Sequence, residues 1–343
     1  MKAVVLERFG EPMVLKEVPE PAIGPQDILL RVRASGLCAT DLKVYDGLVK
    51  SVKLPLIAGH ESAGEVAKIG AEVKGWQIGD HGVIYINLAC GSCYNCRKGR
   101  ENFCTSPVRR LGFEEPGGFG EYCRVPARNL CKVAKSVPLE QASILSGSIA
   151  TPLHGIRTQG RLQAGETAAI VGIGGLGIHA VQLAAVMGAR VIAVDIAEEK
   201  LAAARRLGAE ETINSLNCDF AAEIRRLTGG EGADLVVEIV AGSAVPPVLE
   251  KCVEALRMTG RLLILGYHYG QQFRLDPAKM VYDGLEVMGS RSASLRDLMD
   301  VISLVERGKV KPVIDECFPL DKTNEAFAKL RKSAALGRMV LTL

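Results

Sequence analysis

At 343 residues the chain is longer than one ordinary core and predicts two domains. Its 48% hydrophobic and 24% charged residues are the composition of a soluble globular protein, and a net charge of +3 without a basic run gives no reason to expect nucleic acid as a partner. Residues 1–8 are too briefly apolar for a signal peptide, and no run of about 18 apolar residues is present to span a membrane, so the expectation is a cytoplasmic protein with no membrane partner.

The first third reads as strand and turn. Residues 28–34 and 64–70 alternate apolar and polar, punctuated by Pro19, Pro21, Gly24-Pro25 and Gly79-Asp80, and predict short strands of an irregular β domain. At strand edges or turns of this region stand Gly36-Leu37-Cys38-Ala39-Thr40-Asp41 and Gly59-His60-Glu61-Ser62-Ala63-Gly64. A thiolate, an imidazole and a carboxylate are side chains that zinc takes at catalytic sites. Thr40 adds a hydroxyl two residues from the thiol, and Asp41 an acceptor for the far ring nitrogen of a ligand histidine. Taken alone, the same residues fit a buried cysteine and histidine of an ordinary core.

Four of the ten cysteines, Cys90, Cys93, Cys96 and Cys104, follow at spacings of two, two and seven intervening residues. One short loop can then supply three corners of a tetrahedron and a further turn the fourth, leaving no open position, so the site is expected to be structural. An iron–sulfur cluster or four unrelated thiols are the competing readings. The lobe, residues 88–106, is polar with little to bury and needs a staple, which favours zinc. Cys123, Cys131, Cys218, Cys252 and Cys317 read as isolated buried thiols.

From about Thr167 strands and helices alternate. An apolar strand at 168–171 runs straight into Gly172-Ile173-Gly174-Gly175-Leu176-Gly177, a helix is expected over 178–188, and a strand over 190–194 ends in Asp195, eighteen residues after the last glycine. Strand, glycine turn, helix, strand and acid in that order are what dinucleotide binding requires, although the glycines alone also suit a turn in an unrelated α/β domain. Gly172 permits the tight turn, Gly174 lets the backbone approach a pyrophosphate, and Gly177 allows close helix packing, with phosphates at the positive helix end. Asp195 would accept hydrogen bonds from the ribose hydroxyls and repel a 2′-phosphate. Ile196 and Ala197 bring no cation, so NAD is favoured over NADP.

Further strands at 211–213, 234–238, 261–266 and 285–289 bring the count to the six of a doubly wound sheet. The tail predicts helices over 295–307 and 324–331 and a closing strand at 338–341.

These motifs, with Gly337-Arg338-Met339-Val340, jointly resemble the zinc-dependent medium-chain alcohol dehydrogenase family over essentially the whole chain, nearest to its sorbitol, threonine and secondary-alcohol members. The resemblance implies an α/β fold: a Rossmann doubly wound parallel sheet domain at 151–288, and a discontinuous, mainly β, GroES-like catalytic domain at 1–150 and 289–343. It implies two Zn2+ per chain, one catalytic and one structural, NAD as cofactor, an alcohol or carbonyl substrate, and a homo-oligomer, a tetramer. In it zinc acts as a Lewis acid that stabilises the alkoxide, Thr40 accepts the alcohol proton and hands it on, Asp41 orients His60, Thr151 touches the nicotinamide side and Arg338 neutralises the pyrophosphate. Gly175 and Leu176 complete the cofactor turn.

Two departures from the family pattern matter. Lys43 stands where a relay histidine often lies, and a protonated lysine cannot accept a proton near neutral pH. The usual third zinc ligand, a Cys, Asp or Glu, falls on Gly147. Glu61 is therefore expected to be an inner ligand beside Cys38 and His60; the alternative is a Glu61 behind the metal and a distant side chain in the ligand's place. The functional expectation is hydride transfer between a secondary alcohol, polyol or hydroxy-amino acid and NAD. The alternatives are a carbonyl reductase using the same site and a non-catalytic dinucleotide-binding protein. Phe113, Arg109, Arg110 and the loop near Leu48 are candidate pocket residues, the arginines more simply solvated surface charge.

Overall fold

Short alternating runs build the first 150 residues into strands. In the computed structural model, which describes residues 1–105, 108–240, 242, 245–332 and 335–343, these are β1 (Lys2–Leu6), β2 (Val14–Glu17), β3 (Asp27–Leu37), β4 (Leu56–Ile57), β5 (Glu61–Ile69), β6 (His81–Ile84), β7 (Tyr122–Pro126) and β8 (Leu130–Lys132). β3 is the hub. It pairs antiparallel with β5 and β7, and along its length only Arg31 is exposed. Ile28, Leu30 and Val32 of β3 pack with Val66, Ile84, Val125 and Leu130 in a core that β5 to β8 supply. Where β3 ends, the chain turns into the helix Ala39–Tyr45; where β5 begins, Glu61 is its first residue. Both ends carry site residues.

The middle of the chain lacks alternation because its strands are covered on both faces. β9 (Thr167–Val171), β10 (Arg190–Asp195), β11 (Glu211–Asn214), β12 (Ala233–Glu238), β13 (Leu256–Ile264) and β14 (Glu286–Gly289) form one parallel sheet in the order β11-β10-β9-β12-β13-β14. That is the order of a doubly wound dinucleotide fold, with the direction of winding reversing between β9 and β12. Ile192, Val194, Val236 and Leu262 face Phe220, Ile224, Leu249 and Cys252 in its core.

The tail returns to the first sheet. A capping box formed by Ser294 and Asp297 starts the helix Leu295–Glu306. β15 (Ile314–Pro319), which sequence alone did not reveal, is an edge strand in which only Phe318 is buried, so it carries no alternating pattern. β16 (Arg338–Thr342) lies antiparallel to β3, with Val340 opposite Gly36. The chain thus divides into one unit of Met1–Ala150, Ser292–Gly308 and Pro312–Leu343 and a second of Thr151–Arg291 with Lys309–Lys311. The crossing falls three residues later than 288, and a short return to the second unit was not anticipated. Among the described residues no helix is long and apolar enough to cross a membrane.

Candidate active site and metal centres

The cysteine lobe is held by its own backbone. Residue 106, at the limit expected for it, lies outside the described residues. Sulfur–sulfur distances are 3.5 Å for Cys93–Cys96, 3.9 Å for Cys90–Cys96 and 4.0 Å for Cys93–Cys104. A tetrahedron with metal–sulfur bonds of about 2.3 Å has edges of about 3.8 Å, so the four thiols fit zinc. The backbone N–H groups of Ser92 and Cys93 donate to the Cys90 sulfur at 3.4 and 3.3 Å, and the Asn95 amide ties the loop to the Phe103 carbonyl at 2.7 Å. The Ser92 hydroxyl and these N–H groups pull the Cys90 thiol down to about 5, toward the thiolate that a metal requires.

The second cluster grows from the end of β3. Cys38 caps the helix Ala39–Tyr45: its sulfur accepts from the Thr40 N–H at 3.4 Å, while Asp41 Oδ2 accepts from the Cys38 N–H at 2.8 Å. The other oxygen of Asp41 lies 2.9 Å from His60 Nδ1. A carboxylate at that distance assigns the ring proton to Nδ1 and leaves the Nε2 lone pair for a metal. Asp41 thereby grips both residues. The Thr40 hydroxyl is 3.5 Å from the Cys38 sulfur, and the Phe113 ring packs on His60 with centroids 5.0 Å apart.

Ligand atoms of Cys38, His60 and Glu61 all lie within 4.8 Å of one another. Glu61 is completely buried and sits between two glycines: a Cβ on Gly147 would stand 2.0 Å from its Oε1 and one on Gly36 2.6 Å from its Oε2. Gly147 is therefore more than a missing ligand, since the Glu61 carboxylate fills the volume in which a side chain there would begin. Gly36 was not recognised from sequence; its position opposite Glu61 in the β3–β5 ladder is what gives it this role.

Electrostatics in this cluster follow from burial and charge. Burial alone would raise the Cys38 thiol, but the Arg338 guanidinium and then the His60 ring hold it below its usual value. Burial likewise opposes charge on His60, yet Asp41 and then Cys38 hold its pKa well above that of an ordinary histidine. Burial pushes the Lys43 ammonium down to about 8 against the pull of the Cys38 thiolate, so it stays mostly protonated near neutral pH and part of the amine is neutral only at mildly alkaline pH.

The Arg338 guanidinium is buried and engages Glu61 with both arms of the fork, Nε on Oε2 at 2.9 Å and Nη2 on Oε1. Arg110 is not solvated charge either. It stacks over Phe113 at 4.2 Å and pairs with Glu114, whereas Arg109 is half exposed beside Glu115. Of the five isolated cysteines, Cys123, Cys131 and Cys252 are buried but Cys218 and Cys317 are exposed.

In the second unit Gly172 takes φ +97°, and a Cβ on Gly177 would stand 1.9 Å from the Gly172 carbonyl oxygen, so the helix Gly177–Val186 packs directly on the turn. The space beside Gly174 is open. The Gly175 carbonyl accepts from His179 Nδ1 at 2.7 Å, and Leu176 caps the helix. Asp195 Oδ2 accepts from the Ile173 N–H at 2.6 Å, and Oδ1 from the N–H groups of Ile196 and Ala197 at 2.8 and 3.0 Å. Thr151 is half-buried at the start of this unit.

Comparison with known proteins decides the family. The alcohol dehydrogenase GroES-like domain family matches residues 24–135 and the zinc-binding dehydrogenase family residues 175–307. An alcohol dehydrogenase of Geobacillus stearothermophilus is 34% identical over 99% of both chains, and an NAD-dependent alcohol dehydrogenase of Saccharolobus solfataricus is 36% identical over 99% of both. The solved alcohol dehydrogenase of Aeropyrum pernix superposes with a TM-score of 0.92 at 31% identity, covering 100% of each chain. The chain belongs to the zinc-type medium-chain alcohol dehydrogenase family.

Two outcomes test this geometry. Replacing Arg338 by Met leaves Glu61 buried without a counter-charge, and the expected loss is about 3–5 kcal/mol in zinc-stripped protein. With zinc restored the loss should shrink; denaturant unfolding of both forms measures it, and equal losses would show that zinc does not meet Glu61. Cys93→Ser should lower stability by about 3 kcal/mol and reduce bound zinc before it affects turnover, and lost turnover at wild-type thermal stability would contradict that.

Proposed function

We propose that this chain is a zinc- and NAD-dependent alcohol dehydrogenase that passes a hydride between the carbinol carbon of a small alcohol and the nicotinamide ring. The observation that carries the reading is Asp41, which fixes Cys38 through its N–H and His60 through its ring, so that a thiolate and an imidazole stand preset beside a hydroxyl. A binding protein without chemistry has no use for that arrangement. The names of the relatives, alcohol dehydrogenase and NAD-dependent alcohol dehydrogenase, support it.

Cys38, His60 and Glu61 would hold the catalytic zinc, which when bound supplies Lewis-acid polarisation of the substrate oxygen. Thr40 then takes the alcohol proton onto its hydroxyl oxygen while its own hydroxyl proton passes on to water, and Asp41 keeps the His60 lone pair aimed. In the second unit the turn from Gly172 to Gly177 carries the pyrophosphate on its N–H groups. Oδ2 of Asp195 keeps one lone pair beyond that used by the Ile173 N–H, both of Oδ1 being taken by Ile196 and Ala197, and it accepts a ribose hydroxyl. Secondary alcohols, polyols and hydroxy-amino acids are the substrate classes, and the same site serves the carbonyl-reducing direction. We place the protein in the cytoplasm as a homotetramer, with the outer edge of β14, unpaired among the described residues, and exposed Val281 and Tyr282 supporting contact between copies.

The zinc-loaded enzyme, offered these three alcohol classes with NAD and NADP, should reduce NAD with at least one class and use NADP poorly, and Asp195→Ala should narrow that preference about tenfold or more. Failure of every class with either cofactor, zinc being bound, would overturn the function. Glu61→Gln should remove the catalytic zinc and activity together, so metal content of about one per chain in place of two is the check; a metal-edge diffraction map with another side chain as third ligand would sink the assignment of Glu61.

A further inference from the structure

Glu238 is the last residue of β12 and lies where the winding of the parallel sheet reverses. It pairs with Val171 at the end of β9 on one side and with Ile264 at the end of β13 on the other. Ligands of open α/β sheets bind in the crevice beyond the strand ends at this reversal. The residue after Glu238 backs onto the phosphate turn: a Cβ on Gly172 would stand 3.1 Å from the Ile239 carbonyl.

Glu238 is fully buried. Its Oε1 accepts from the Val240 N–H at 2.6 Å, and its backbone carbonyl accepts from Leu265 and Gly266 at 2.9 and 3.1 Å. Gly266 leaves the room for this, since a Cβ there would stand 2.7 Å from Oε1. The second oxygen, Oε2, has no hydrogen-bond partner among the described residues. A buried carboxylate with one bare oxygen is an expensive object in an apolar strand end. Burial accordingly pushes the carboxyl up to about 7, with the Val240 and Gly266 N–H groups working against it. The flanking strand ends are apolar at Val171 and Ile264, and the titratable group facing it is Cys252 of the helix Val245–Glu254, itself held neutral by burial.

We propose that Glu238 sets the balance between the two forms of the cofactor: its carboxylate at the sheet reversal favours the positively charged nicotinamide of NAD+ over the uncharged ring of NADH. The inference rests on the NAD reading above. NAD+ stabilises the ionised carboxylate and by linkage draws its proton off, and NADH leaves the proton in place. Glu238 is a specificity residue that acts through its charge, and no bond is made or broken on it.

The test is the pair of dissociation constants for NAD+ and NADH on the zinc-loaded enzyme at pH 8, wild type against Glu238→Gln. The amide keeps the bond from Val240 and removes the charge. Affinity for NAD+ should fall about tenfold, the effect of one charge through an interior of intermediate dielectric, while affinity for NADH changes less than about twofold. At pH 6 the two proteins should converge. Equal losses for both forms would reduce Glu238 to a loop tie and overturn the proposal, as would an unchanged ratio. Should the variant not fold, difference infrared spectra of the wild type at pH 6.5 decide: NAD+ should bleach a protonated-carboxyl band that NADH leaves, and equal spectra overturn the idea. Failure of wild type to bind either nucleotide would overturn the function itself, a different result from binding without discrimination.

Discussion

Glu61 and Arg338 face each other out of water, and neither could stay there alone. The desolvation of each is several kcal/mol by general estimates, recovered only with near-ideal geometry, which here is a two-armed fork closed on one carboxylate. The pair stands beside Cys38, whose thiol Arg338 holds down, and behind His60, which Asp41 holds up. Cys38, Asp41 and Glu61 are three potential anions in one pocket; the guanidinium answers one of them and a divalent ion would answer the other two. Sequence reasoning had assigned Glu61 the task of neutralising a metal with a single thiolate. The geometry distributes that charge balance over four side chains.

Shape enforces the same arrangement. Gly36 and Gly147 press on opposite oxygens of Glu61, so the carboxylate has one place to lie. In this chain a side chain at position 147 would have to displace the Glu61 carboxylate from the place it holds.

Features with local periodicity or spacing were legible in the sequence. The six parallel strands, the glycine turn and its closing acid, and the cysteine lobe each occupy a short window in which the chemistry repeats or alternates, so a linear reading finds them. What escaped it was made by distance or by context. Arg338 reaches Glu61 across 277 residues, and no local pattern announces that partner. β15 escaped because an edge strand with one buried side chain looks polar throughout. Cys218 and Cys317 read as buried only because cysteine usually is. Glu238 drew no reading as the last residue of a strand, and only the sheet order placed it at the reversal.

The return of β16 to the side of β3 has a consequence for how the protein is made. The six strands of the second unit, ending at Gly289, are all synthesised before β15 and β16, so the sheet that comes second in the chain is the first that can be completed. β3 emerges early but waits more than 300 residues for its β16 neighbour. Until then Glu61 has no guanidinium to face, and the chemistry of the molecule is among the last parts of it to be assembled.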